Sequence, residues 1–220
     1  MTYSLGRVHS PDPRDAAFPV SDLLKTLPVP KRAATSVYWW DDGAWLDQGQ
    51  TPQCVAYAWS HWTADGPVIN RLLEAPSALY HDAQVADEWP GENYDGTSVR
   101  GAAKVLKTKG LITSYFWATK LSDIVTTIML KGPMVMGTNW SNSMFTPDSR
   151  GVVHYNRAQI VGGHAWVVNG YNKNTRLFRC KNSWGRSWGQ QGHFYVSDVD
   201  MAKLLADQGE GCIAVEKKLA

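Results

Sequence analysis

The chain of 220 residues carries 22 Lys+Arg against 20 Asp+Glu, a formal net charge of +2, and is 44% hydrophobic, enough apolar material for one large folded unit or two packed lobes. The charges are scattered, which argues against a nucleic-acid footprint or a polybasic membrane anchor. No stretch approaches the roughly eighteen consecutive apolar residues of a membrane span, and the N-terminus MTYSLGRVHSPDPRD lacks a signal-type apolar segment, so a cytoplasmic protein is expected.

Residues 1–47 hold five of the eleven prolines, in segments such as HSPDPRD and TLPVPKR, and read as an extended arm wrapped over a surface. DQGQTPQCVAYAW follows, where Val55, Ala58, Trp59 and Trp62 fall at helical spacing and Cys54 stands at the N-terminal end. SALYHDAQVAD (77–87) suggests a second helix. A third begins after Gly96, capped by Thr97 or Ser98, with Val99, Ala102, Ala103 and Leu106 on one face and Gly110 as its stop. A fourth runs from Ser122 to Lys131 with Ile124, Ile128 and Met129 facing inward. From there PMVMGTNW, GHAWVVNGY, RLFRCKNSW and GHFYVS read as strands separated by turn clusters. Helices first and strands later is the α+β order, and two lobes would leave a cleft between them.

Three cysteines, Cys54, Cys180 and Cys212, are too few for a disulfide framework; reduced thiols are expected, with a Cys180–Cys212 bridge left open. No CxxC or HExxH pattern occurs, and neither a metal nor a cofactor is expected. Cys54 is the first chemical candidate. A thiol at a helix N-terminus feels the positive end of the macrodipole, and with a histidine partner its pKa can fall from about 8.5 to roughly 3 to 4. His164, in IVGGHAWVVNGY, stands at the mouth of an apolar strand, a rigid setting suited to a general base. Asn182, in FRCKNSWGRSWGQQGHFYV, can fix an imidazole tautomer while an adjacent indole excludes water.

Taken in order, QGQTPQC, GGHAW and KNSWGRSWGQQGHFYV resemble the papain-like cysteine peptidases over roughly residues 44–197, in the manner of bacterial members without disulfides or a long propeptide. The resemblance implies a papain-like two-lobed α+β fold: an arm at 1–47 and a catalytic domain at 48–220, with a helical lobe to about 120 and an antiparallel β lobe from about 121. It implies a Cys-His-Asn trio of Cys54, His164 and Asn182, and Gln48, six residues before Cys54, as side-chain donor of the oxyanion hole beside the Cys54 N–H. NYDGTSVRGAAKVLKTKGL resembles the family's glycine loop and following helix, so Gly96, with Gly163 and Trp184, is an expected substrate-binding position, and an extended peptide would add there as a strand.

The chain departs from the family pattern at Thr51, where a disulfide cysteine is usual, at Val55, where an aromatic follows the nucleophile, and at Gly163, before the histidine. His164 and Asn182 lie 110 and 128 positions after Cys54, against roughly 130 to 150 in the papain and cathepsin pattern. Shorter loops bear on subsite preference more than on chemistry. The expected activity is peptide-bond hydrolysis through a thioacyl-enzyme, by a monomer with a polypeptide substrate. The rivals are an amidase or acyltransferase on other amides, and a lapsed peptide-binding module.

Overall fold

Antiparallel pairing between strands far apart in the chain organises the molecule around one sheet. The computed structural model describes residues 3–28, 34–39, 45–65, 75–87 and 95–217. Parts of the expected arm and of NYDGTSVRG lie outside the described residues. In chain order the elements are helix α1 (Val20–Lys25), strand β1 (Ser36–Tyr38), α2 (Cys54–Asp65), α3 (Pro76–Ala86), α4 (Val99–Thr108), β2 (Ile112–Ala118), α5 (Leu121–Leu130), β3 (Met134–Ser141), β4 (Ile160–Asn172), β5 (Leu177–Lys181), β6 (His193–Ser197), α6 (Asp198–Ala206) and β7 (Glu210–Glu216). The sheet order is β2-β7-β3-β4-β5-β6, with β1 pairing to β4. This is an α+β architecture, with helical elements packed on an antiparallel sheet.

The central strands are buried on both faces, which explains their continuous apolar runs. Val135, Val167 and Cys212 face a core shared with α2, α3 and α4, where Trp59, Trp62, Leu79 and Leu106 pack. Met136, Trp166, Val168 and Ile213 face a second core with α1, α5 and α6. Cys180 belongs to that second core and Cys212 to the first, so the two thiols stand on opposite sides of the sheet; both are free. The indole N–H groups of Trp59 and Trp62 donate to Val99 O (3.1 Å) and Pro133 O (2.9 Å), so these buried side chains carry no orphaned donor. Truncating either would cost about 3–5 kcal/mol.

The N-terminal segment is extended only in part. Pro13 opens a 3-10 turn (Pro13–Ala17) and Pro19 caps α1, positions where a fixed φ favours a helical start. Val20 and Leu23 of α1 are core residues, and Trp117 N donates to Phe18 O (2.9 Å), so the stretch from Phe18 to Leu23 is built into the fold. Residues 3–8 are different, because they run as an extended chain along the edge between α2 and the sheet.

Candidate active site

Cys54 is the first residue of α2, and Tyr57 N donates to Gln53 O (3.1 Å) as the helix begins. Ahead of it, a turn closed by Thr51 N→Gln48 O (3.1 Å), with Gly49 at φ 57°, folds Gln48 back toward the helix end. The Gln48 amide is oriented from one side. Ser183 Oγ donates to Gln48 Oε1 (2.6 Å), leaving Nε2 to donate to Thr51 O (2.8 Å) and to Ser4 O (3.1 Å). Gln48 N also donates to Ser183 O (2.9 Å), which ties the loop before α2 to the loop after β5.

His164 lies within β4 opposite Thr138 of β3, and Asn182 follows the last residue of β5. Asn182 Oδ1 stands 2.8 Å from His164 Nε2 and accepts a second bond from Ser183 N (2.8 Å). With the amide oxygen turned toward it, Nε2 carries the proton and Nδ1 is the basic nitrogen; Nδ1 is buried without a hydrogen-bond partner. Trp184 stacks on the imidazole (4.7 Å, 24°) and Trp140 meets it edge-on (4.9 Å, 74°), so both aromatic walls keep water from the Asn–His bond.

Burial dominates the electrostatics. It pushes the Cys54 thiol up to about 12, although the backbone N–H groups of Ala165, Gly6 and Val55 oppose this, and it lowers the His164 imidazole to about 4, with the Asn182 bond opposing. The sequence predicts a lowered thiol pKa; in this structure the thiol is fully buried and held neutral. Residues 3–8 account for that cover. Gly6 N and Arg7 N both donate to Gly163 O (3.1 and 3.0 Å), Val8 N donates to Thr97 O (3.0 Å) and Thr97 N donates to Gly6 O (3.0 Å). Gly6 is pressed against the Pro52 carbonyl with no room for a Cβ, and Tyr3 stacks on Trp184 (4.6 Å, 18°).

The site residues expected from the sequence therefore fall in two groups that meet at one groove. Cys54 and Gln48 come from α2 and its preceding turn, and His164 and Asn182 from the sheet. Gly96, Gly163 and Trp184 all touch residues 3–8. Gly96 makes room for the Gly6 carbonyl, but its own N–H is taken by Tyr80 Oη (2.9 Å), so Thr97 is the residue that pairs with the extended chain. Sequence reasoning missed four contributors. Ser183 orients Gln48, and Trp140 walls His164. Asp87 Oδ1 accepts from Ser98 Oγ (2.5 Å) and Oδ2 from Ser98 N (3.1 Å), bracing the turn where the extended chain docks. The fourth is Glu210, treated below. Of these only Ser183, inside NSWG, carried a sequence signal.

A family model described as "Papain family cysteine protease" matches residues 80–208, a stretch that holds His164 and Asn182 but begins after Gln48 and Cys54. A peptidase C1-like protein of Acanthamoeba polyphaga mimivirus is 26% identical over 83% of this chain and 72% of its own length. Cysteine proteinase 3 of Entamoeba histolytica is 28% identical over 48% of this chain and 36% of its own. Among solved structures, the cysteine protease xylellain from Xylella fastidiosa superposes with a TM-score of 0.74 at 18% identity, covering 99% of this chain and 98% of that one. Digestive procathepsin L2 proteinase from Tenebrio molitor larval midgut gives a TM-score of 0.69 at 17% identity, over 97% and 78%. With more than half its length matched by the family model and its fold shared with these structures, the chain belongs to the papain family of cysteine proteases.

Proposed function

We propose that this cysteine peptidase hydrolyses peptide bonds through a thioacyl-enzyme formed on Cys54. The observation that carries the reading is the Asn182–His164 hydrogen bond beneath Trp184, which leaves Nδ1 as the unpartnered base of the groove that holds Cys54. In this mechanism Nδ1 takes the thiol proton and the thiolate attacks the substrate carbonyl. The oxyanion accepts from Gln48 Nε2 and Cys54 N–H, and the imidazolium returns its proton to the leaving amine. His164 then deprotonates water, which attacks the thioester and releases the acid and the thiol. Ser4 O already occupies an acceptor position on Gln48 Nε2, as the oxyanion would.

The groove is closed here by the chain's own residues 3–8, and in this reading a substrate enters only when they leave. Their direction explains why they persist. His164 must face the leaving amine, so the leaving side of a productive substrate lies toward Trp184 and its acyl side toward Thr97. Residues 3–8 run from Trp184 to Thr97, with Arg7 in parallel register beside Thr97. Their N-terminal end thus sits on the leaving side, opposite to a productive peptide. Stoichiometric labelling of Cys54 by a thiol-directed epoxide, together with loss of peptide hydrolysis in Cys54→Ala, tests the assignment. Retained hydrolysis in Cys54→Ala would overturn it.

A further inference from the structure

The turn that carries Gln48 is held together from within. Its tip, Gly49, faces open space, with nothing within 4 Å of where a Cβ would lie, so packing gives the turn no support on that side. Thr51 stands where a disulfide cysteine is usual in the family, and all three cysteines of this chain are free, so no covalent tie replaces it. Hydrogen bonds close the turn instead. Gln48 O accepts from Thr51 Oγ1 (2.6 Å) as well as from Thr51 N (3.1 Å), and Thr51 O accepts in return from Gln48 Nε2 (2.8 Å).

The hydrogens of the amide give these bonds a second consequence. Nε2 has two to donate and Oε1 has none. Ser183 Oγ donates to Oε1 (2.6 Å), Thr51 O takes one Nε2 hydrogen, and the other points to Ser4 O (3.1 Å), where the oxyanion would lie. Turning the amide over would set Oε1 against the Thr51 carbonyl, two acceptors with no proton between them. Gln48 is 2% exposed, so water does not soften that clash. Ser183 and Thr51 thus select one orientation from two sides, and only Thr51 belongs to the turn itself. Thr51 is exposed at the surface, where removing a hydroxyl leaves the fold intact.

We propose that Thr51 is a positioning residue of the oxyanion hole: its hydroxyl fastens the turn, and its carbonyl keeps Gln48 Nε2 aimed at the oxyanion. This rests on the peptidase reading above.

The test uses the full chain with Thr51→Val, which keeps the branched shape without the hydroxyl, and Thr51→Ser, which keeps the hydroxyl. Each protein is read as kcat/KM on a peptidyl amide divided by the rate at which Cys54 displaces iodide from iodoacetamide. That alkylation forms no oxyanion, and the closed fraction multiplies both rates and cancels from their ratio. Thr51→Val should lower the ratio by about three- to tenfold, the net contribution of one hydrogen bond, with the loss carried by kcat. Thr51→Ser should restore it to within about twofold. In a Gln48→Ala background Thr51→Val should cost nothing more, because it acts through that amide. A ratio unchanged in Thr51→Val, or an equal loss in the Gln48→Ala background, overturns the proposal while leaving hydrolysis intact. If the wild type cleaves no peptide, the hydrolytic reading fails, and a peptidyl aldehyde decides the role of Thr51. Its adduct, with the S–C bond formed and the thiol proton carried to the carbonyl oxygen, presents that oxygen to Gln48 Nε2. Aldehyde affinity, divided by the same alkylation rate, that falls in Thr51→Val and returns in Thr51→Ser supports the proposal; equal affinity, or no binding by any of the three proteins, refutes it.

Discussion

Replacing Arg7 by alanine perturbs the closed groove where it is best anchored. In the closed form the substitution would leave the Glu210 side chain, 12% exposed, without the Nη2 bond at 2.9 Å and Gln208 O without its donor at 2.7 Å. Breaking a buried pair by removing one partner costs about 3–5 kcal/mol. That cost falls on the closed form alone, because once residues 3–8 lift away, water reaches the carboxylate. It therefore appears as a shift between closed and open forms, and about 3 kcal/mol corresponds to a factor of roughly 150. The fold is spared, since the buried core residues of the N-terminal segment, Val20 and Leu23, lie in α1. Truncation at residue 30 would be a poorer probe, because it removes the core residues Val20 and Leu23.

The assay is the rate of Cys54 modification by a thiol-directed epoxide, followed by intact mass, with hydrolysis of a small peptidyl amide in parallel. Arg7→Ala should label and turn over at least about tenfold faster than the wild type, the gain being capped when the open form predominates. Its thermal midpoint should fall by about 2–4 °C for each kcal/mol the closed form loses, with unfolding still cooperative. Equal and rapid labelling of both proteins would show that residues 3–8 do not control access, and the reasoning from the Arg7–Glu210 pair would fail with it.

Gln48→Ala should lower kcat by roughly a hundredfold or more, the loss of one oxyanion donor being worth about 2.7–4 kcal/mol, and steady-state kinetics at saturating substrate reads it. Lys181→Ala should cost about 3–5 kcal/mol in urea unfolding, because Lys181 and Asp65 are both fully buried and paired at 2.9 Å. Acid should favour opening. His164 is held at about 4 in the closed groove against an ordinary 6.5, so between those values the hydrated open form takes up a proton that the closed form does not, on the order of 2 kcal/mol at pH 5. Glu210, whose carboxyl burial raises, works the other way and trims the effect. Cys54 labelling, corrected for the reagent's own pH dependence, should still rise several-fold from pH 7 to 5, and a flat profile would remove His164 burial as a brake on opening.

The parts of the site that were legible in the sequence are those that depend on local chain geometry. Cys54 begins a helix because Pro52 and the apolar positions from Val55 onward require it, and Asn182-Ser183-Trp184-Gly185 is one turn whose side chains act together. Ser98 caps α4 by accepting from Gly101 N, as its position before Val99 implies. The illegible parts depend on partners far along the chain. β2 and β7 pair from Ile112↔Glu216 to Ala118↔Gly211, and neither ITSYFWA nor EGCIAVE announces that partner. α6, capped by Ser197 accepting from Asp200 N, was within reach of its capping pattern but is only nine residues long.

The same distinction explains why the thiol's state was misjudged. A helix N-terminus and a histidine are local and do favour a thiolate, but they act against desolvation, and whether Cys54 is desolvated is decided by residues 3–8, about fifty positions earlier in the chain. Nothing in SLGRVH marks it as the occupant of a groove. Gly163 and Thr97 backbone hold it on one side and Glu210 with Gln208 O on the other, while Tyr3 stacks on Trp184 and Ser4 O accepts from Gln48. An arginine in a glycine-flanked extended segment and a glutamate at the head of a strand are each unremarkable alone. Paired in a pocket that admits them only because residue 137 lacks a side chain, they fasten residues 3–8 over the nucleophile.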